Sequence, residues 1–198
     1  MRLFGIVAVP YSGRQVRSYT VDEVRSVARS VEVTEAVAAH ATLIQNLMQL
    51  YTHDFSEFWA GTSRGDLDAA GLFAPYPLED YWSRTNWSVG LVWCDHRLAG
   101  FALVNDETHS GLPAQRNMGE FFIVRKYRGN GVGRVAAEIV FSRHPGTWEV
   151  AVARRNTRAL KFWRRIIDSS PRASAIEERD VQNAGWNGPV LRFGWSIM

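Results

Sequence analysis

Between residues 34 and 51 the apolar positions Val37, Ala41, Ile44, Leu47, Met48 and Tyr51 recur at three- and four-residue steps. That is the spacing of one helix face, so the pattern predicts an amphipathic helix with Thr34 as its N-cap. Residues 53–59 continue this helix or bend away from it. Upstream, residues 3–9 read as a strand and 20–28 as a short helix. In the latter, Thr20 and Glu23 have the spacing of a capping box, and Val21, Val24 and Ala28 share a face. Ser30-Val31-Glu32-Val33 alternates as a strand does, and 61–79, with scattered Gly, Pro and Asp, reads as loop.

Further on the period shortens to two. Residues 88–93 and 98–104 read as strands joined by a tight turn at 94–97, a hairpin. A polar loop over 105–116 leads to a third strand at 117–124. Beyond the glycine-rich stretch KYRGNGVGRV (126–135), Val135, Ala136, Ile139 and Val140 mark a helix face that His144-Pro145-Gly146 ends. A strand over 148–153 follows, then a helix capped by Asn156 with Ala159, Phe162, Trp163 and Ile166 on one face. Two late strands near 173–181 and 190–197 close the chain. Helices interspersed with a mixed sheet predict an α/β or α+β domain.

A chain of 198 residues suffices for one well-buried domain and is short for two. The formal charge of +3 comes from arginine, since Lys126 and Lys161 are the only lysines. Such a balance favours anionic partners, yet the arginines are scattered, which weighs against nucleic acid. Cys94 is the single cysteine, so no disulfide framework exists within the chain and a reducing compartment fits. His40, His53, His96, His109 and His144 form no HxxxH or HxH spacing, which leaves metal catalysis unsupported. The N-terminal LFGIVAV reads as a strand rather than a signal peptide, and no apolar run approaches the roughly 18 to 20 residues that span a bilayer. The expectation is a soluble cytoplasmic domain with no membrane partner.

The glycine loop carries the chemistry. Leading from strand to helix, it turns free backbone amides and the positive end of a helix dipole toward one place, which suits a phosphate. A turn that needs glycine for geometry alone is the alternative. A dinucleotide fingerprint started at Gly129 meets Arg134 at its sixth position and fails. Started at Gly131 it meets Ala136 and passes, but a hairpin rather than a βαβ series precedes it. No lysine-Ser/Thr pair completes a Walker loop. What remains is Arg128-x-x-Gly131-x-Gly133, which resembles the Arg/Gln-x-x-Gly-x-Gly/Ala signature of the GNAT superfamily of N-acetyltransferases. The passage EFFIVRKYRGNGVG is similar to that of polyamine acetyltransferases. A second block, Asn156, Ala159 and Phe162, resembles the family's Asn-x-x-Ala followed by an aromatic and a Tyr, except that Trp163 stands in place of the Tyr.

The resemblance spans residues 30–198. It implies a GNAT domain over 31–198, preceded by an N-terminal extension over 1–30. The implied fold has a mixed, mostly antiparallel sheet of six to seven strands flanked by four helices. The implied co-substrate is acetyl-coenzyme A, with no metal. Ile123 and Val124 would lie along the pantetheine arm, with a backbone amide near Val124 polarising the thioester carbonyl. Arg128, Gly129, Asn130, Gly131, Val132, Gly133 and Arg134 would cradle the pyrophosphate, and Asn156, Phe162 and Trp163 would border the cofactor.

Glu120 is the candidate base, with a structural ion pair as its alternative and Glu149 as second choice. Asp54, Phe55 and Glu57, with Trp59, would wall the acceptor, a primary amine of a small molecule or peptide. Trp163 supplies no acid for the departing thiolate. That keeps a non-catalytic acyl-coenzyme A sensor open beside the transferase. An acetyltransferase for aminoacyl-tRNA and assembly as a homodimer also remain open.

Overall fold

The computed structural model describes residues 29–197. The expected strand at 3–9 and helix at 20–28 lie outside the described residues. The elements follow in the order β1 (Val31–Glu35), α1 (Ala41–Ser56), α2 (Glu79–Ser83), β2 (Ser88–Cys94), β3 (Arg97–Asn105), β4 (Arg116–Ile123), α3 (Val132–Arg143), β5 (Gly146–Ala151), α4 (Thr157–Ser169), β6 (Ala173–Gln182) and β7 (Asn187–Trp195). Single 3-10 turns sit at Ala38–His40, Glu57–Trp59 and Arg125–Tyr127. The strands form one seven-stranded sheet in the order β1-β2-β3-β4-β5-β7-β6, antiparallel throughout except for β4 against β5.

The period-two pattern along β3 sorts the core into two layers. Phe101 and Leu103 pack with Ile44, Leu47 and Met48 of α1 and Tyr81 of α2. Ala102 and Val104 pack on the other face with Ala136, Val140 and Phe141 of α3 and Trp163, Ile166 and Ile167 of α4. The β2–β3 turn is a two-residue connection in which Asp95 and His96 both take positive φ (50° and 59°). That backbone matches the strands' own twist.

Thr34 does not cap the first helix. It lies in β1, opposite Leu91, and its hydroxyl accepts from the Trp93 indole at 2.8 Å. Pairing with β2 thus draws Thr34 and Glu35 into the sheet, and the helix begins at Ala41, seven residues later. Asn156 does cap α4, accepting from the Ala159 amide at 3.0 Å.

A gap opens in the sheet. β4 and β5 pair only at Arg116 with Trp148 and Asn117 with Glu149. Past that point β4 runs on to Ile123 with β3 as its only ladder partner among the described residues. The β3–β4 register shifts between Leu103 and Val104, so Gly119 is the extra residue of a bulge just before Glu120.

Candidate active site

Where β4 leaves β5, two features meet at the gap. The first is the loop from Arg128 into α3. Gly131 has φ +79° at the helix N-cap and Gly129 has φ +78°, a conformation that favours glycine. A Cβ at either position would meet nothing within 4 Å. The amides of Gly129, Asn130, Gly131, Val132, Gly133 and Arg134 have no acceptor among the described residues. Unpaired donors at a helix N-terminus beside open space form an anion site. The residues present therefore fit a diphosphate group. Gly133 closes the loop's inner side, where a Cβ would press to 3.3 Å from the Phe162 ring.

Backbone alternation decides which β4 groups face the gap. The Val124 amide donates to the Ala99 carbonyl at 2.8 Å and its carbonyl accepts from Tyr127 at 2.9 Å. Val124 is therefore not a free donor, contrary to the expectation from sequence, because the chain turns toward β3 there. By alternation the Ile123 amide faces the gap instead. The Ile123 carbonyl already accepts from Arg128 Nε at 2.5 Å.

The second feature is Glu120. Its half-buried carboxylate accepts a short hydrogen bond from the Tyr51 hydroxyl of α1. Burial pushes its pKa up to about 7, against the opposing pull of the Tyr51 and Tyr76 hydroxyls and the more distant Arg64 charge. It forms no salt bridge among the described residues. Tyr51 and Tyr76 are themselves pushed well above the usual tyrosine value by burial and by Glu120, and Tyr81 is pushed by burial to about 12. All three phenols thus stay protonated and able to donate at neutral pH.

The Tyr81 hydroxyl belongs to a longer polar chain. Asn105 donates to Tyr81 at 3.0 Å and accepts from Asn117 at 2.9 Å. The Asn117 side-chain Oδ1 is buried with no partner among the described residues. A Cβ on Gly119 would lie 2.7 Å from Asn105 Nδ2 and 2.9 Å from the Tyr81 hydroxyl, so the bulge glycine makes room for this chain. Tyr76 is fixed from below. Gln45 grips both its backbone groups (2.6 and 3.1 Å), and Gln49, one turn on, grips both of Phe73 (3.1 and 2.8 Å).

Other residues singled out from sequence fall differently. Asp54 offers no free charge to an acceptor. Arg125 and Arg128 both bind its carboxylate, at 2.6 and 2.5 Å. Partial burial opposes them, but the two guanidinium groups hold its pKa below the usual range. Asp54 thereby ties α1 to the glycine loop. Phe55 lies in an aromatic row with Tyr51 (5.0 Å) and Trp59 (5.4 Å). Glu57 is exposed at the end of α1.

Glu149 is fully buried and saturated, accepting from the amides of His109 and Ser110, the Ser110 hydroxyl and Arg192. It is a structural ion pair and no candidate base. Trp163 is buried against Phe121 (5.1 Å), Phe162 (4.9 Å) and Phe141 (6.0 Å). Tyr51 was legible only as one residue of a helix face, and nothing local in the sequence marked Tyr76 and Tyr81.

No family model matches the chain, and no curated protein matches it in sequence. Solved structures do. An acetyltransferase from Thermus thermophilus superposes with TM-score 0.53 at 11% identity, over 83% of this chain and 95% of that one. The GNAT domain of S. lividans PAT gives 0.53 at 11% identity, over 84% and 90%. The chain has the GNAT fold. Arabidopsis thaliana Naa50, solved in complex with the bisubstrate analogue CoA-Ac-MVNAL, gives 0.50 at 15% identity, over 85% and 99%. The sheet has, among the described residues, the expected mixed, mostly antiparallel character, with seven strands flanked by four α-helices. Among the described residues no helix is long and apolar enough to cross a membrane.

Proposed function

We propose that the chain is an acetyl-coenzyme A-dependent N-acetyltransferase acting on a primary amine of a small molecule or peptide. One observation carries this reading: Glu120, a carboxylate with no salt-bridge partner among the described residues, stands on the strand that splays from β5, beside a loop whose amides have no acceptor among those residues. In this reading the amides of Gly129 to Arg134 and the α3 dipole hold the pyrophosphate. The free edge of β4 takes the pantetheine arm as a surrogate strand, and the Ile123 amide is placed to polarise the thioester carbonyl. Phe162 and Trp163 line the same side.

The chemistry asked of the protein is modest. The acceptor nitrogen must be neutral to attack. Glu120, half-ionised near neutral pH, takes its proton directly or across a water. The carbon–nitrogen bond forms as the carbon–sulfur bond breaks, and the sulfur leaves as thiolate to be protonated. Thiolates are adequate leaving groups, so Trp163 in place of a tyrosine acid is compatible with turnover. The Tyr51 hydroxyl supplies the donor that holds Glu120 in place.

The test is calorimetric titration with acetyl-coenzyme A together with thiol release over a panel of amines and peptides. Binding with acceptor-dependent thiol release, abolished in Glu120→Gln, is the expected result. Tight binding with no release from any amine would replace the transferase by an acyl-coenzyme A sensor.

A further inference from the structure

One charge on the acceptor side is left over. Tyr51, Phe55 and Trp59 recur every four residues along α1 and its terminal 3-10 turn, which stacks their rings into a continuous row. At one end Tyr51 donates to Glu120. At the other, the Arg64 guanidinium lies 4.5 Å over the Trp59 ring. Arg64 is exposed and forms no salt bridge among the described residues.

The arginines that reach α1 and its terminal turn from elsewhere in the chain are already committed. Arg125 and Arg128 bind Asp54, and Arg155 donates to the Phe58 carbonyl at 3.1 Å. An arginine seated on an indole face is oriented, and its fork of donors remains available to a planar anion. The Arg64 charge also reaches along the row, since it acts on both Glu120 and Tyr51. A carboxylate and a guanidinium, neither in a salt bridge among the described residues, thus stand at opposite ends of one aromatic row.

Resting on the transferase reading above, we propose that Arg64 is the specificity-determining residue that binds an anionic group on the acceptor. The acceptor is then a molecule carrying both an amine and a carboxylate or phosphate. Its ammonium is drawn to Glu120, its body lies along Tyr51, Phe55 and Trp59, and its anion meets Arg64. A plain amine would satisfy only the Glu120 end, leaving Arg64 solvated. Burial of matched charges at both ends fixes direction and register more than it adds raw affinity.

The experiment compares matched acceptors on the full chain with acetyl-coenzyme A. The pairs are lysine against cadaverine, phenylalanine against phenethylamine, and glucosamine 6-phosphate against glucosamine. The amino acids and the sugar phosphate separate a carboxylate from a phosphate source of the anion. At least one anion-bearing member should exceed its plain partner by tenfold or more in kcat/KM.

Arg64→Gln should erase that advantage by raising KM for the anionic acceptor relative to its plain partner, while any change that follows from the lost pull of Arg64 on Glu120 falls equally on both members of a pair. Arg64→Lys should restore part of it. Arg97→Gln, on the remote β2–β3 hairpin, should change nothing. An advantage that survives Arg64→Gln, or plain amines preferred throughout, would overturn the assignment while leaving the transferase reading standing. Absence of thiol release with every amine would overturn both.

Discussion

The Tyr51 hydroxyl donates to the Glu120 carboxylate, joining the first helix to the central strand over a separation of 69 residues. A lone carboxylate at that position would be solvated or paired. Here it is dressed with phenols, which donate a proton without bringing a charge. Its ionisation is therefore left to burial, and it titrates near the pH at which a base is useful.

On the transferase reading, in which ionised Glu120 accepts the amine's proton, the acetyl-transfer rate should rise with pH through a limb at about 7. Stability should move the other way. A carboxyl whose folded pKa lies above its unfolded value stabilises the fold in its protonated form. That contribution is complete below about 4.5 and is lost as pH rises to about 7. Glu120→Gln should consequently abolish most turnover and yet melt higher than wild type at pH 8, by roughly 1–3 kcal/mol, with the gap closing toward pH 4. Melting curves across that range, read beside pH–rate profiles, check both signs. A variant less stable than wild type at pH 8 would contradict the raised pKa of Glu120.

Tyr51→Phe removes a donor that favours the ionised carboxylate, so the Glu120 pKa should climb further. The rising limb of the pH–rate profile should shift to higher pH, and activity at pH 7 should fall several-fold while recovering at pH 9. A profile that drops uniformly without shifting would mean that Tyr51 acts by packing alone.

Features written by local chemistry were legible in the sequence, and those made by distant pairing were not. The Asn156 cap, the glycine loop and the α4 face each depend on residues within about one turn of one another and are present as expected, whereas Val37 falls outside α1 and Val135 on the exposed side of α3. The start of α1 was misplaced because nothing in Thr34 and Glu35 announces that β2 will claim them. Asp54 looked like an open acid because its partners, Arg125 and Arg128, lie 71 and 74 residues further on. Val124 looked like a free amide because the turn that engages both its backbone groups is a tertiary outcome.

Gly131 should separate geometry from charge. With φ at +79°, Gly131→Ala should cost about 1 kcal/mol of stability from backbone strain and only modestly weaken acetyl-coenzyme A, since the Cβ meets nothing. Gly131→Asp adds a negative charge among the loop amides and should abolish measurable binding in calorimetry while melting close to the Ala variant. Equal affinities for the two would remove the anion from this loop.

Arg128 and Asp54 should couple. Arg128→Gln and Asp54→Asn each break the tie between loop and α1, so the double variant should lose less than the sum of the two. A coupling of about 1 kcal/mol in unfolding free energy fits an ion pair of this partial exposure. Because the Asp54 pKa is depressed, its share should be full at neutral pH and fade as acid protonates it. Additive effects would show the pair to be incidental to the loop.

On the transferase reading, substitutions at Trp163 test how the site treats the leaving sulfur. Its indole is enclosed by Phe121, Phe141 and Phe162, and its N–H donates to no group among the described residues. Packing of this kind predicts that Trp163→Phe costs roughly 1–3 kcal/mol of stability from the space left behind but changes turnover only a few-fold. Trp163→Tyr should bring no gain, since a smaller ring in a site shaped for indole leaves its hydroxyl off the sulfur's position. Steady-state turnover of the three proteins, with melting temperature and acetyl-coenzyme A affinity measured alongside, distinguishes the cases. A loss above about a hundredfold in the Phe variant, equivalent to about 2.7 kcal/mol of barrier, with fold and affinity intact, would show that the indole N–H supports the departing thiolate. A rise in turnover in the Tyr variant would show instead that sulfur departure limits the rate and that a phenol can reach it.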